Sequence, residues 1–207
     1  MSKRQIPTRE QCIVGIPHVL ANATAHRDAA DVLAAAGRHG FAVAHLIYAL
    51  EESEKARTLA KVVLGENLTE DQIRRGLYEH KDRHIGAMAK SLSSGGAVID
   101  FVAEGMRERI GLRPAKTDAQ RWATIDARHP EVLPKDWPET AGAVRERSLY
   151  VDMREDRWSG PSDTSVVDFQ RLRPAVSSLL LYLQAAYERE IEPLTRRDRE
   201  QLSNHID

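Results

Sequence analysis

The stretch FAVAHLIYALEESEKARTLAKVVL, residues 41–64, decides the fold class of this chain. Its residues recur at steps of three or four, which brings one set of them to the same side of a helix: Phe41, Ala44, Tyr48, Glu52, Lys55, Leu59 and Val62. Glu52 and Lys55 therefore lie within an otherwise apolar stripe. Because a packed core accepts charged groups only when they are paired, the stripe predicts a helix that carries a polar site or an ion pair into a helix contact.

The residues before this stretch predict a second helix packed against it. Apolar residues repeat at helical steps over residues 16–36, and Gly37 follows where a left-handed C-cap is favoured. The helix over 41–64 stops in the same way at Gly65. With so short a turn between them, the two helices are expected to form an antiparallel hairpin.

Two further helices are expected to complete a bundle. Thr69 and Gln72 form a capping box, which predicts the start of a third helix over residues 69–92. A fourth helix is expected over 97–110, after a break rich in serine and glycine. No segment of this region alternates with the two-residue period of a strand. The predicted fold class is therefore all-α, an antiparallel helical bundle with short loops.

The remainder of the chain divides into two parts. Residues 1–110 form the predicted four-helix core, and residues 111–164 are expected to be an irregular connection, with a helix at 141–148 and an extended segment or short hairpin close to its end. Residues 165–207 are expected to contribute a long helix that packs back on the core, with Pro174 inside it or in its first turn.

Composition excludes several classes of protein. The chain has 207 residues, enough for one core, and its net charge of −1 gives no global attraction to nucleic acid or membrane. Cys12 is the single cysteine, so no intramolecular disulfide can form, which is typical of a cytoplasmic protein. The longest apolar runs fall short of the roughly 20 residues that span a bilayer. A cytoplasmic protein without membrane association is expected.

The third predicted helix carries the strongest candidates for catalysis. His80 and His84 occupy positions where an amphipathic helix would carry leucine or isoleucine. In RRGLYEHKDRH, residues 74–84, Arg75 precedes His80 by five positions and Arg74 precedes it by six. A metal-independent ribonuclease needs an imidazole to move a proton and a cation to stabilise the phosphorane. Five residues rotate two side chains by about 140° on a helix, so a second copy across a dimer interface would have to complete such a site.

The polar residues of these helices also fit a structural ion pair or a metal site. Glu52 and Lys55 are three residues apart and can pair with each other at the edge of the core. His80 and His84 have the spacing of metal ligands, with Glu51 or Glu52 as a third ligand. A di-iron bundle would instead carry Glu-x-x-His on two helices, and no such motif occurs. No cofactor is indicated, because phosphate-binding and dinucleotide-binding glycine loops are also absent from the sequence.

Three segments together resemble one protein family. The succession AADVLAAAGRHGFAVAHLIYALEESEKARTL, residues 29–59, is followed by YEHKDRH and later by RERSLYVDMREDRWSGP, residues 145–161. This succession is similar to the AbiV family of abortive-infection proteins, a branch of the HEPN superfamily. The resemblance covers most of residues 20–190.

The resemblance implies a small helical bundle, often dimeric, and for many HEPN proteins a ribonuclease that uses an Arg-x4–6-His motif. Arg75 and His80 fit this motif, and Arg74 fits its longer spacing. The polar positions of the AbiV pattern fall on Glu52, Lys55 and Lys81, beside which His84 is a further supporting residue. The expected function is phage defence by RNA cleavage in a homodimer. The alternative is a non-catalytic module that binds a phage-encoded or toxin–antitoxin partner protein.

Overall fold

The computed structural model of the protein describes most of the helical core and the region around the hairpin: residues 5–94, 133, 136–154, 157–164 and 166–194. The predicted helix over 97–110 and about half of the predicted connection lie outside the described residues. The all-α fold class is confirmed, with six α-helices and one short hairpin in the described part of the chain.

The first helix is longer than the sequence indicated. Helix α1 spans Arg9–Ala35 and begins at a capping box. The Thr8 hydroxyl accepts a hydrogen bond from the backbone N–H of Gln11, and the Gln11 side-chain oxygen accepts one from the backbone N–H of Thr8. The predicted start at residue 16 was wrong because this box lies earlier and Pro17 is accommodated inside the helix. The predicted turn is confirmed, since Gly37 has a φ of 73°.

Helix α2 spans His39–Val63 and forms the predicted antiparallel hairpin with α1. It ends before Gly65, which has a φ of 72°. Most of α2 is buried, because α1 covers one side of it and helices that follow α2 in the chain cover the others. Helix α2 is therefore the central element on which the site is built.

The single helix predicted over residues 69–92 is wrong, because the chain breaks at Glu79. Helix α3, Glu70–Tyr78, starts at the predicted Thr69–Gln72 capping box, and helix α4, His80–Ser94, follows after one extended residue. The break is stabilised from within α4. The Arg83 guanidinium donates to the Leu77 carbonyl at 2.7 Å, replacing a helical hydrogen bond that the break removes. His80 consequently stands at the first position of a new helix.

In the described part of its second half, the chain forms one helix, a hairpin and a last long helix. Helix α5, Trp137–Leu149, is longer than the predicted 141–148 and packs on α2 and α4. Strands β1, Asp152–Arg154, and β2, Arg157–Ser159, pair antiparallel with Met153 opposite Trp158, which confirms the predicted hairpin.

After a short 3-10 turn at Pro161–Asp163, helix α6 spans Val166–Ala186 with Pro174 inside it, and it continues into a π-helical turn at Tyr187–Ile191. Helix α6 lies against α2 and α1. The core is formed where these three helices meet, and its largest apolar side chains include Ile16, Leu46, Ile47, Leu50, Leu179 and Leu180. In the described part of the chain, no helix has the length and hydrophobicity needed to cross a bilayer.

The close contact of α3 with α2 depends on a glycine. A Cβ added at Gly76 would lie 2.5 Å from Thr58 Oγ1, and that hydroxyl is held by its bond to the Glu54 carbonyl. We expect Gly76→Ala to destabilise the fold by up to about 2 kcal/mol, because overpacking costs about 1–3 kcal/mol and the gain in helix propensity recovers about 1 kcal/mol.

Urea denaturation measures this prediction, with Gly142→Ala as the matched control. A Cβ at Gly142, inside α5, would have no other atom within 4 Å, so the control should gain about 0.5–1 kcal/mol. Equal stabilisation of both variants would contradict the packing argument.

Candidate active site

The site is built around Glu51, a carboxylate buried in the middle of α2 with 3% of its surface exposed. Four side chains contact its two oxygens. His80 Nδ1 lies 2.8 Å and an Arg83 nitrogen 3.3 Å from Oε2, while His84 Nε2 lies 3.0 Å and an Arg145 nitrogen 2.8 Å from Oε1. We refer to these five residues as the Glu51 cluster. It joins α2, α4 and α5 through one carboxylate.

His80 is the exposed member of the cluster, with 53% of its side chain accessible. Its Nδ1 has partners of two kinds: the Glu51 carboxylate, which accepts, and guanidinium nitrogens of Arg83 at 2.8 Å and Arg145 at 3.1 Å, which donate. With a proton on Nδ1 the ring donates to Glu51 whether Nε2 is protonated or not, whereas the other neutral tautomer would accept from a guanidinium at Nδ1. In the first arrangement Nε2 can gain or lose a proton while Nδ1 keeps its bond to Glu51.

His84 is the buried histidine of the cluster, with 2% of its surface exposed. Its Nε2 donates to Glu51 and its ring meets the ring of the buried Trp137 edge-on, with centroids 5.9 Å apart. This position is enclosed by α5, which carries Trp137. His84 therefore supports the carboxylate from within the core and does not reach solvent.

The two arginines give the cluster a positive charge. Arg83 is 4% exposed and links Glu51 to the Leu77 carbonyl, whereas Arg145 is 17% exposed and also lies over the Tyr48 ring at 5.8 Å. One ionised carboxylate and two guanidiniums leave a net charge of +1 before either histidine is protonated. Such a site attracts an anion, and Arg145 is the cation nearest to its exposed side.

The electrostatics of Glu51 reflect these contacts. Burial raises the pKa of its carboxyl, but the hydrogen bond from His84 and the charges of His80, Arg145 and Arg83 outweigh burial and lower the pKa from its usual value of 4.5 to about 2. Glu51 is therefore ionised throughout the physiological range.

The arginines of the predicted motif lie elsewhere. Arg75 on α3 is half-exposed and pairs with Asp71 at 3.1 Å and Asp82 at 3.4 Å. Arg74 lies beside it on α3, and Lys81 is exposed at the start of α4. Of the predicted site residues, the structure brings His80 and His84 together on Glu51.

Glu52 and Lys55 form an ion pair with each other on α2, as the structural alternative predicted. Their side chains are 16% and 29% exposed, so the pair lies at the edge of the core. It does not contribute to the Glu51 cluster, but Lys55 faces a groove that His80 also lines.

A metal site is disfavoured by the donor set. His80, His84 and Glu51 do converge, as the metal alternative supposed, but Arg83 and Arg145 contact the same carboxylate and repel a further cation. Among the described residues, no group of three or more His, Cys, Asp or Glu side chains is arranged to hold a metal ion.

The roles of Glu51, Arg83 and Arg145 in the cluster were not predicted from the sequence. Glu51 had a detectable signal, because it continues a second buried stripe of α2 at steps of three and four: Val43, Ile47, Glu51, Glu54 and Thr58. Arg83 lies three residues after His80 and one before His84, so it also had a local signal. Arg145 reaches the cluster from 65 positions beyond His80, and helical spacing carries no information over that separation.

Comparison with known proteins identifies a protein family. A family model described as AbiV, of the HEPN type, matches residues 11–173. The matched residues run from α1 into α6 and include every member of the Glu51 cluster. No curated protein and no solved structure matches the chain.

Proposed function

The chain belongs to the AbiV family of HEPN-type proteins, whose function is abortive-infection defence against phage, and we propose that it acts there as a metal-independent endoribonuclease. The observation that carries this proposal is the environment of His80. An exposed imidazole whose Nδ1 has a partner in either protonation state is suited to general acid–base chemistry.

The reaction we propose is transesterification within the RNA chain. His80 Nε2 takes the proton of a ribose 2′-hydroxyl, and the 2′-oxygen attacks the adjacent phosphorus. The bond from phosphorus to the 5′-oxygen breaks, and that oxygen takes a proton from water or from an imidazolium. The products are a 2′,3′-cyclic phosphate end and a 5′-hydroxyl end.

The phosphorane carries more negative charge than the ground state, so a fixed cation stabilises it preferentially. Two cations of the same protomer lie beside His80 Nδ1, Arg83 at 2.8 Å and Arg145 at 3.1 Å, and Arg145 is the more exposed of them and so the better placed to reach a phosphate. We also propose a two-fold homodimer, in which Arg75 or Arg74 of a second copy faces His80. The Arg-x4–6-His motif motivates this dimer. Within one protomer the Arg75 side chain pairs with Asp71 and Asp82 rather than with His80, so a second copy would have to supply the arginine of the motif.

A second candidate function is a non-catalytic module that binds a partner protein. It is favoured by three apolar side chains at the hairpin, Tyr150, Val151 and Met153, which are 64%, 68% and 59% exposed. In this reading the Glu51 cluster stabilises the bundle and takes no part in chemistry.

The test is incubation of the purified protein with RNA in EDTA, with and without an extract of phage-infected cells to supply a trigger. We expect cleavage that persists in EDTA and leaves 2′,3′-cyclic phosphate ends, identified by mass spectrometry. A cleavage activity that chelation removes would contradict the mechanism. Phage defence by protein that shows no cleavage under either condition would favour the binding module.

A further inference from the structure

An open groove passes beside His80, and Glu51 is not among the residues that line it. Helix α1 forms one wall through Gly15, helix α2 contributes Lys55 and Leu59, and the end of α3 contributes Leu77 and Tyr78. His80 stands at its rim. The groove thus combines an apolar floor with the imidazole that we propose as the acid–base group.

Gly15 is the first indication that the groove holds a ligand. Glycine inside a helix costs about 1 kcal/mol relative to alanine, so its presence within α1, about two turns from the start, requires a reason. Helix packing does not supply one, because a Cβ at Gly15 would approach Leu59 Cδ1 at only 3.5 Å, an ordinary contact. A side chain at this position would instead reduce the free width of the groove.

The charge of the groove is the second indication. Lys55, His80 and Arg83 line it, and among the described residues that line it there is no Asp or Glu. The carboxylates that pair with these cations, Glu51 and Glu52, are on α2 and do not line the groove. The open side of the groove therefore presents positive charge, which is complementary to a phosphate.

We propose that this groove binds one unstacked nucleotide of single-stranded RNA next to the cleaved bond. Its base lies on the apolar floor formed by Leu59 and Leu77, its phosphate contacts Lys55, and its ribose faces His80. An aromatic side chain that stacks on the base and a neighbouring cation are the usual means of holding an unpaired nucleotide, and Tyr78 lines the groove beside the two leucines. A base paired in a duplex could not enter. The inference rests on the proposed function, since it defines the substrate of that site.

The experiment measures binding rather than cleavage. A fluorescein-labelled, fully 2′-O-methylated oligonucleotide cannot undergo attack by its 2′-oxygen, so anisotropy in EDTA reports affinity alone. We expect Gly15→Leu to weaken binding at least tenfold by filling the groove, with Gly15→Ala as its control. Gly15→Ala should bind within about twofold of wild type and melt at the same or a higher temperature.

Lys55→Met provides a second, independent variant, with Lys61→Met as its matched control. Both lysines lie on α2 and both pair with a glutamate, Glu52 or Glu66, but Lys61 lies outside this groove. Loss of one phosphate contact should reduce the slope of log affinity against log salt by about 0.7 for Lys55→Met. The slope for Lys61→Met should equal that of wild type.

Several outcomes would overturn the inference. Wild-type affinity in a folded Gly15→Leu protein would do so, as would equal salt slopes for the Lys55 and Lys61 variants if Gly15→Leu does not fold. If either result is accompanied by cleavage of ordinary RNA, the proposed ribonuclease activity is supported and only the proposed binding of a nucleotide in the groove is contradicted. Groove-dependent binding without any cleavage would instead support the groove and contradict the proposed function.

Discussion

Replacing Glu51 by alanine is expected to destabilise the protein by about 3–5 kcal/mol, the cost of breaking a buried ion pair by removing one partner. Glu51 is the common acceptor for two histidines and two arginines from α4 and α5. Its removal leaves Arg83, which is 4% exposed, with its charge buried. Chemical denaturation followed by circular dichroism measures the loss.

Glu52→Ala is the matched control, because it removes a neighbouring carboxylate from the same helix. Glu52 pairs with Lys55 at the edge of the core, where ion pairs contribute up to about 1 kcal/mol. A loss for Glu51→Ala no larger than that for Glu52→Ala would show that the Glu51 cluster does not support the fold.

The contribution of Glu51 should also depend on pH. Its folded-state pKa of about 2 lies below the usual 4.5, so the ionised carboxylate stabilises the fold above pH 4.5, by about 3 kcal/mol. This stabilisation is lost as pH falls from about 4.5 towards 2. The difference in unfolding free energy between wild type and Glu51→Gln should therefore shrink over that window. A constant difference down to pH 3 would contradict the lowered pKa.

The fold was predictable where its signals are local. Gly37 and Gly65 end helices through their own backbone conformation, and Thr69 with Gln72 starts one through bonds that span three residues. The break at Glu79 has no such signal, since neither glycine nor proline stands there. It depends on Arg83, whose guanidinium bridges the Leu77 carbonyl and the carboxylate of another helix.

The candidate site was predictable to the same extent. Helical spacing identified His80 and His84 as polar groups on an apolar face, and the structure brings them to one carboxylate. The helical stripe predicted on α2 contains Glu52, whereas the buried carboxylate that contacts the histidines is that of its neighbour Glu51. A one-residue shift rotates a helical side chain by about 100°, and on a helix buried on several sides periodicity alone does not select the face. Arg145 required the tertiary structure.

The second large effect is expected at His80. His80→Ala should reduce RNA cleavage by about 10²–10⁴-fold, the usual contribution of a positioned acid–base group. Because the side chain is 53% exposed, its loss should change the melting temperature far less than the loss of Glu51 does. Unchanged cleavage or unchanged phage protection by His80→Ala would contradict the ribonuclease proposal.

The cation that acts with His80 can be identified by mixing inactive protomers. Arg75→Ala, Arg74→Ala and Arg145→Ala are each purified, and each is combined with His80→Ala as a heterodimer carrying two different tags. If an α3 arginine of one protomer completes the site of the other, the heterodimer of His80→Ala with that arginine variant contains one intact site and regains activity.

The heterodimer of His80→Ala with Arg145→Ala should stay inactive if His80 and Arg145 act together within one protomer. Arg145 and His80 lie 3.1 Å apart within the same chain, so neither protomer of the His80→Ala and Arg145→Ala pair holds both residues. We expect no recovery from this pair and about half of wild-type activity from the pair with Arg75→Ala, or with Arg74→Ala if the longer spacing is the working one. Recovery by the Arg145 pair would show that Arg145 acts across the interface. If the α3 arginines are instead dispensable, Arg74→Ala and Arg75→Ala are each fully active alone. That result would identify Arg145 as the cation that stabilises the phosphorane and would show that a site shared between protomers is not needed.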